Sequence, residues 1–150
     1  DQHRVGNHPY RIEAEAMQLK GYTPTSVTPW ETASGGKAVI CPQTTCSANT
    51  TFASSSGWYD IAVQYFDLHD GASRFALQIN GATMDTWTAD DTLPSDQLNG
   101  HTSTRHTTIG VALHSGDQIQ IVGTPDGKEG APLDYLEITP AFQPRQRKQQ

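Results

Sequence analysis

The chain has 150 residues and a net charge of −6, with 35% hydrophobic and 17% charged residues. A length of this order supports one domain that buries roughly two-thirds of its unfolded surface, so a core forms without metal or disulfide help. The acidic balance excludes a phosphate backbone as partner, which needs a basic face, and no stretch approaches the ~20 apolar residues that span a bilayer.

Taken in order, residues 1–9 read as an N-terminal extension and residues 10–140 as the folded domain. Tyr10–Ala16 and Met17–Tyr22 are expected strands, and Thr23–Gly36 is expected to be a loop. Lys37–Ile40 and Asn49–Ala53 follow as short strands. Trp58–Asp67 places Tyr59, Ile61, Val63 and Tyr65 on one face, and Ser73–Ile79 does the same with Phe75, Leu77 and Ile79. Met84–Thr88 is another strand, and the polar stretch Ala89–Thr104 a long loop. Thr107–Leu113 offers Ile109, Val111 and Leu113, Asp117–Val122 offers Ile119 and Ile121, and Leu133–Thr139 closes the set. This period of two marks strands with one buried face. Asp70-Gly71, Asn80-Gly81, Ser115-Gly116 and Asp126-Gly127 punctuate them with turn signals. About ten strands without a helix of stable length predict an all-β protein, a two-sheet antiparallel β-sandwich or jelly roll. Residues 141–150, with the basic Arg145-Gln146-Arg147-Lys148, read as a solvated C-terminal tail or linker.

Cys41 and Cys46 have four residues between them and no partner pair for a zinc site, so a small-loop disulfide in an oxidising compartment is expected. The sequon Asn49-Thr50-Thr51 is compatible with that compartment, and the expected location is extracellular. The chain opens on Asp1 with no signal peptide, which reads as a mature product or a module of something longer.

Glu13 and Glu15 need an explanation. In a strand, residues two apart share a face with Cα atoms about 6.6–6.8 Å apart, and two such carboxylates repel. Three readings remain open: a solvated edge strand, a hard cation such as calcium held by carboxylate oxygens, or a catalytic carboxylate pair. Same-face neighbours point in parallel rather than across a substrate, which disfavours the last, and no catalytic residue is nominated. Ser54-Ser55-Ser56-Gly57 lacks a nucleophile-elbow context, and His101 and His106 lack zinc-ligand spacing.

Five segments occur in one order: Ile12-Glu13-Ala14-Glu15, Ser34-Gly35-Gly36-Lys37-Ala38-Val39, Gly57-Trp58-Tyr59-Asp60-Ile61, Leu77-Gln78-Ile79-Asn80-Gly81 and Leu133-Asp134-Tyr135-Leu136-Glu137-Ile138. Together they resemble the calcium-containing carbohydrate-binding modules of families 6 and 35, over nearly all of residues 10–140. The resemblance implies a structural calcium ion held by Glu13, Glu15 and Asp134, with main-chain carbonyls near Gly36 or Lys37. It also implies a sugar site at the loop end of the sandwich. There the sequence departs from the family pattern, because Pro132 stands where an Asn is usual and Cys41-Pro42 fills an aromatic position. Trp30, with Glu31 beside it, His101, Arg105, Asp126 and Lys128 are the remaining candidates for contact with sugar. The cations among them suit a uronate carboxylate.

The function implied is a non-catalytic module that tethers a linked secreted carbohydrate-active enzyme to polysaccharide. The alternative is an accessory β-sandwich that packs on a catalytic domain or mediates dimerisation without binding sugar.

Overall fold

A computed structural model describes residues 10–26, 37–67, 72–89, 103–126 and 130–141. The described residues form eleven strands: β1 (Arg11–Glu13), β2 (Gln18–Lys20), β3 (Thr23–Ser26), β4 (Lys37–Ile40), β5 (Cys46–Thr51), β6 (Gly57–Phe66), β7 (Arg74–Ile79), β8 (Ala82–Thr88), β9 (Ser103–Leu113), β10 (Gln118–Thr124) and β11 (Leu133–Pro140). They make two antiparallel sheets. The first runs β3-β4-β11-β6-β9, with β1 also paired to β11, and the second runs β2-β5-β10-β7-β8. The all-β sandwich expected from the alternation is what forms.

The core lies between the sheets. Ile61, Val63, Leu113 and Leu136 of the first sheet meet Phe75, Leu77, Ile119 and Ile121 of the second, all essentially without exposure. Asn80 and Gly81 both take positive φ (51° and 86°) between β7 and β8, the two-residue turn whose twist matches its flanking strands.

Several expectations need correction. Tyr10–Ala16 is not one strand: after Glu13 the chain makes a turn of 3-10 helix, Ala14–Ala16, with the Met17 N–H donating to the Ala14 carbonyl. This turn carries the chain from the first sheet to the second and drives Ala14 into the core. Thr23–Gly36 begins with a strand, β3. Its Pro24 is tolerated because β3 is an edge, where a missing ladder donor does no harm. β9 starts at Ser103, inside the stretch expected to be loop. Ile109 is 62% exposed rather than buried, because the β6–β9 register shifts between Tyr59 and Ile61 and Gly110 takes a φ of 71° there. The bulge throws Ile109 out, and its extra amide, Gly110 N–H, donates to the Asp60 carboxylate.

Candidate functional site

The first and last strands lie side by side: β1 is antiparallel to β11 with Glu13 opposite Tyr135. Farther toward the start of β11, its Leu133 pairs with Val39 of β4. β1 and β4 therefore follow one another along the same edge of β11, and the 3-10 turn occupies the gap. Glu13 and Lys37 act electrostatically on Glu15 at this gap, and Asp134 follows Leu133 on the β11 stretch beside it.

Their geometry differs from two carboxylates on one strand face. Glu13 ends β1, whereas Glu15 sits in the turn, so the strand spacing does not apply. Burial pushes the Glu15 carboxyl up to about 7; the negative charge of Glu13 adds to this, while its own backbone hydrogen bond and Lys37 oppose it. One Glu15 oxygen, Oε1, is buried with no hydrogen-bond partner among the described residues. Asp134 is fully buried. It is the extra residue of a bulge, since the β11–β6 register shifts between Leu133 and Tyr135.

The approach to Asp134 is rigidly held. Ala131 adopts a φ of 45°, a left-handed conformation costly for a residue with a Cβ, directly before Pro132. Its carbonyl accepts a hydrogen bond from the buried Tyr22 hydroxyl at 2.7 Å. Tyr22 in turn fits only because Gly123 has no side chain. On the other side, the Gly130 carbonyl accepts from the Cys41 N–H at 2.7 Å, and Cys41 is bonded to Cys46. The disulfide expected from spacing thus braces the segment that leads into Asp134.

Oxygen donors of the hard kind that suit calcium are therefore present, including one orphaned buried oxygen. Among the described residues no three His, Cys, Asp or Glu side chains are gathered closely enough to hold a metal by themselves. Gly36, whose carbonyl was an expected contributor, lies outside the described residues, while Lys37 opens β4.

Of the sugar-contact candidates, Trp30, His101 and Lys128, like Glu31, lie outside the described residues. Arg105 lies on the outer face of the first sheet and is heavily engaged. Its guanidinium donates to Gln64 Oε1 at 3.2 Å, Glu137 Oε1 at 3.3 Å and the Tyr135 hydroxyl at 2.8 Å. Arg11 stacks on the same Tyr135 ring, 3.8 Å from its centroid, and lies 3.9 Å from Glu137. Arg105 keeps 35% of its side chain exposed, so one face of this network meets solvent. Asp126 is elsewhere: its Oδ2 accepts from the Ala72 N–H at 2.9 Å and ties β10's exit to β7's entry. Arg105 and Asp126 share none of these partners.

Sequence reasoning missed a second cluster. Trp87 of β8 stacks on His106 of β9, centroids 4.2 Å apart and planes within 10°. His106 Nε2 lies 2.7 Å from Asp85 Oδ2, which also accepts from the Thr108 hydroxyl. β8 and β9 are edges of different sheets, so this cluster closes one side of the sandwich. Strand alternation marks such residues as half-buried but carries no signal of which edges meet.

The fold class is that of carbohydrate-binding modules. A family 35 carbohydrate-binding module from Clostridium thermocellum superposes with a TM-score of 0.64 at 19% identity, over 87% of this chain and 98% of that one. A family 6 module of Cellvibrio mixtus lichenase 5A, solved with cellotriose, gives a TM-score of 0.58 at 20% identity, over 88% and 97%. No family model matches the sequence. In sequence the chain is similar to fungal proteins named Probable alpha-glucuronidase A. The Aspergillus terreus protein is 47% identical over 144 residues, covering 91% of this chain and 17% of the relative. The Aspergillus flavus protein is 44% identical over 147 residues, covering 93% and 18%. The chain thus spans less than a fifth of the length of the curated relatives it matches.

Proposed function

We propose that this chain is a non-catalytic carbohydrate-binding module of a secreted carbohydrate-active enzyme, with uronate-bearing polysaccharide as its ligand class. The observation that carries the reading is the fold, which matches nearly the full length of solved binding modules of families 35 and 6. The α-glucuronidase name of the sequence relatives supports the uronate class. Arg105 is the described cation that suits it: its guanidinium is held in place by Gln64, Glu137 and Tyr135 yet keeps a solvent-facing edge. The mechanism is tethering, in which weak sugar contact raises the local concentration of substrate at a linked catalytic domain. The disulfide and the fungal relatives support an extracellular location.

Glu13, Glu15 and Asp134, with main-chain oxygen near Lys37, would hold a structural calcium ion. A bound calcium would supply positive charge where Glu15 presents an uncompensated buried oxygen. The residues themselves fix the chain crossover between the sheets and the entry to β11.

A second reading is an accessory sandwich that packs on a catalytic domain or mediates dimerisation. The engagement of Arg105 and Asp126 by neighbouring protein groups favours it. Affinity electrophoresis in gels cast with uronate-bearing or neutral polysaccharide separates the two. Retardation by the uronate-bearing gel, reduced in Arg105→Ala, supports binding; unchanged mobility in every gel favours the accessory domain.

A further inference from the structure

Of the four asparagines, Asn7, Asn49, Asn80 and Asn99, only Asn49 is followed two residues on by a hydroxyl residue with no proline between. It sits in mid-strand β5, paired with Gln18 of β2 and Gln120 of β10. Strand alternation sends Cys46 and Ala48 into the core, where both are buried, and turns Ser47, Asn49 and Thr51 outward.

One side chain of the neighbouring strand spans both ends of the sequon. Gln118 Oε1 accepts from Asn49 Nδ2 at 3.1 Å, and Gln118 Nε2 donates to the Thr51 hydroxyl at 2.8 Å. Beside Asn49 the outer face of the second sheet is hollowed into a groove of about 250 Å³, whose lining includes Lys20, Gln43, Ser47, Gln120, Val122 and the disulfide-bonded Cys46. Amides, hydroxyls and the Lys20 ammonium lie there beside Val122 and Cys46, a mixed surface that suits the polar rim and apolar ring face of a sugar.

We propose that Asn49 carries an N-linked glycan whose first sugars lie along this groove. In the transfer step Asn49 Nδ2 displaces the diphosphate of a lipid-diphosphate-linked oligosaccharide. The N–C1 bond forms, the C1–O bond breaks, Nδ2 loses one proton, and the lipid diphosphate leaves. The chemistry belongs to an oxidising secretory compartment, the same setting in which the Cys41–Cys46 bond forms. A substituted amide keeps one N–H, enough for its single hydrogen bond to Gln118, so the folded strand accepts the modification. The glycan then covers the outer face of the second sheet. Ligand or domain contacts are left to the loop end and to the first sheet, which carries Arg105.

The test is the full chain secreted from a fungal host, measured by intact mass and by peptide mapping across Asn49. The expected result is an oligosaccharide mass at Asn49 that peptide N-glycosidase removes to leave aspartate, and that is absent in Thr51→Ala, which retains Asn49. The wild-type map alone decides occupancy should Thr51→Ala be poorly secreted, and an unmodified Asn49 in the secreted protein overturns the proposal. Acylation of Lys20 reads the glycan's position. It should rise several-fold once the glycan is removed, and an unchanged rate would overturn placement in the groove.

Discussion

His106 of β9 and Asp85 of β8 meet at 2.7 Å across the seam where an edge of one sheet faces an edge of the other. The His106 ring also stacks on Trp87, and the Thr108 hydroxyl donates to the same Asp85 oxygen. Partial burial pushes the Asp85 carboxyl up, but the hydrogen bonds from His106 and Thr108 and the charge of His106 hold it, on balance, below its ordinary value. A carboxyl lowered in the folded state contributes stability that is full above its unfolded value of about 3.9 and is lost as pH falls through the folded value. Asp85→Asn should therefore cost about 1 kcal/mol at neutral pH and flatten the loss of stability below about pH 4. Thermal melts of both proteins across that range check it; identical acid profiles would mean that the pair contributes nothing.

Gly123 and Tyr22 are a second coupled pair. A methyl group at Gly123 would run into the Tyr22 hydroxyl and press on the Ala131 side chain. Gly123→Ala should destabilise by roughly 1–3 kcal/mol through overpacking, and Tyr22→Phe by about 1–2 kcal/mol through the orphaned Ala131 carbonyl. Because Gly123→Ala displaces the hydroxyl that Tyr22→Phe deletes, the double variant should lose less than the sum. Denaturant unfolding of the two singles and the double measures the coupling.

The calcium proposal has a direct thermal readout. Calcium in excess of its dissociation constant should raise the melting temperature, and a chelator should reverse the rise, since a ligand that binds only the folded state stabilises by mass action. Glu15→Gln and Asp134→Asn should abolish the rise. Glu15→Gln in chelator should melt no lower than the wild type, because it removes a carboxylate that burial already penalises. A calcium-independent melting curve for the wild type would remove the ion from the account.

The strands were legible because Ile61, Val63, Phe75, Leu77, Ile119 and Ile121 sit on strict two-residue spacing and every one is buried. Boundaries failed where tertiary demands intervened. Ala14–Ala16 alternates like a strand, yet the chain must cross between sheets there and turns instead. Ile109 fits the apolar pattern, but a bulge reverses its direction. The Cys41–Cys46 bond was readable because its spacing is local. The partners of Arg105 were not, because Gln64, Glu137 and Tyr135 reach it from other strands and no local pattern names them.

Sugar binding is the central claim, and isothermal titration calorimetry with calcium in excess tests it most directly. The panel is glucuronic acid, oligosaccharides bearing it, and their neutral counterparts. Saturable binding of a uronate-bearing ligand in the micromolar-to-millimolar range, with neutral sugars weaker and Arg105→Ala reduced, is the expected result. No heat beyond dilution from any sugar, with the protein folded throughout, would contradict it and leave an accessory sandwich.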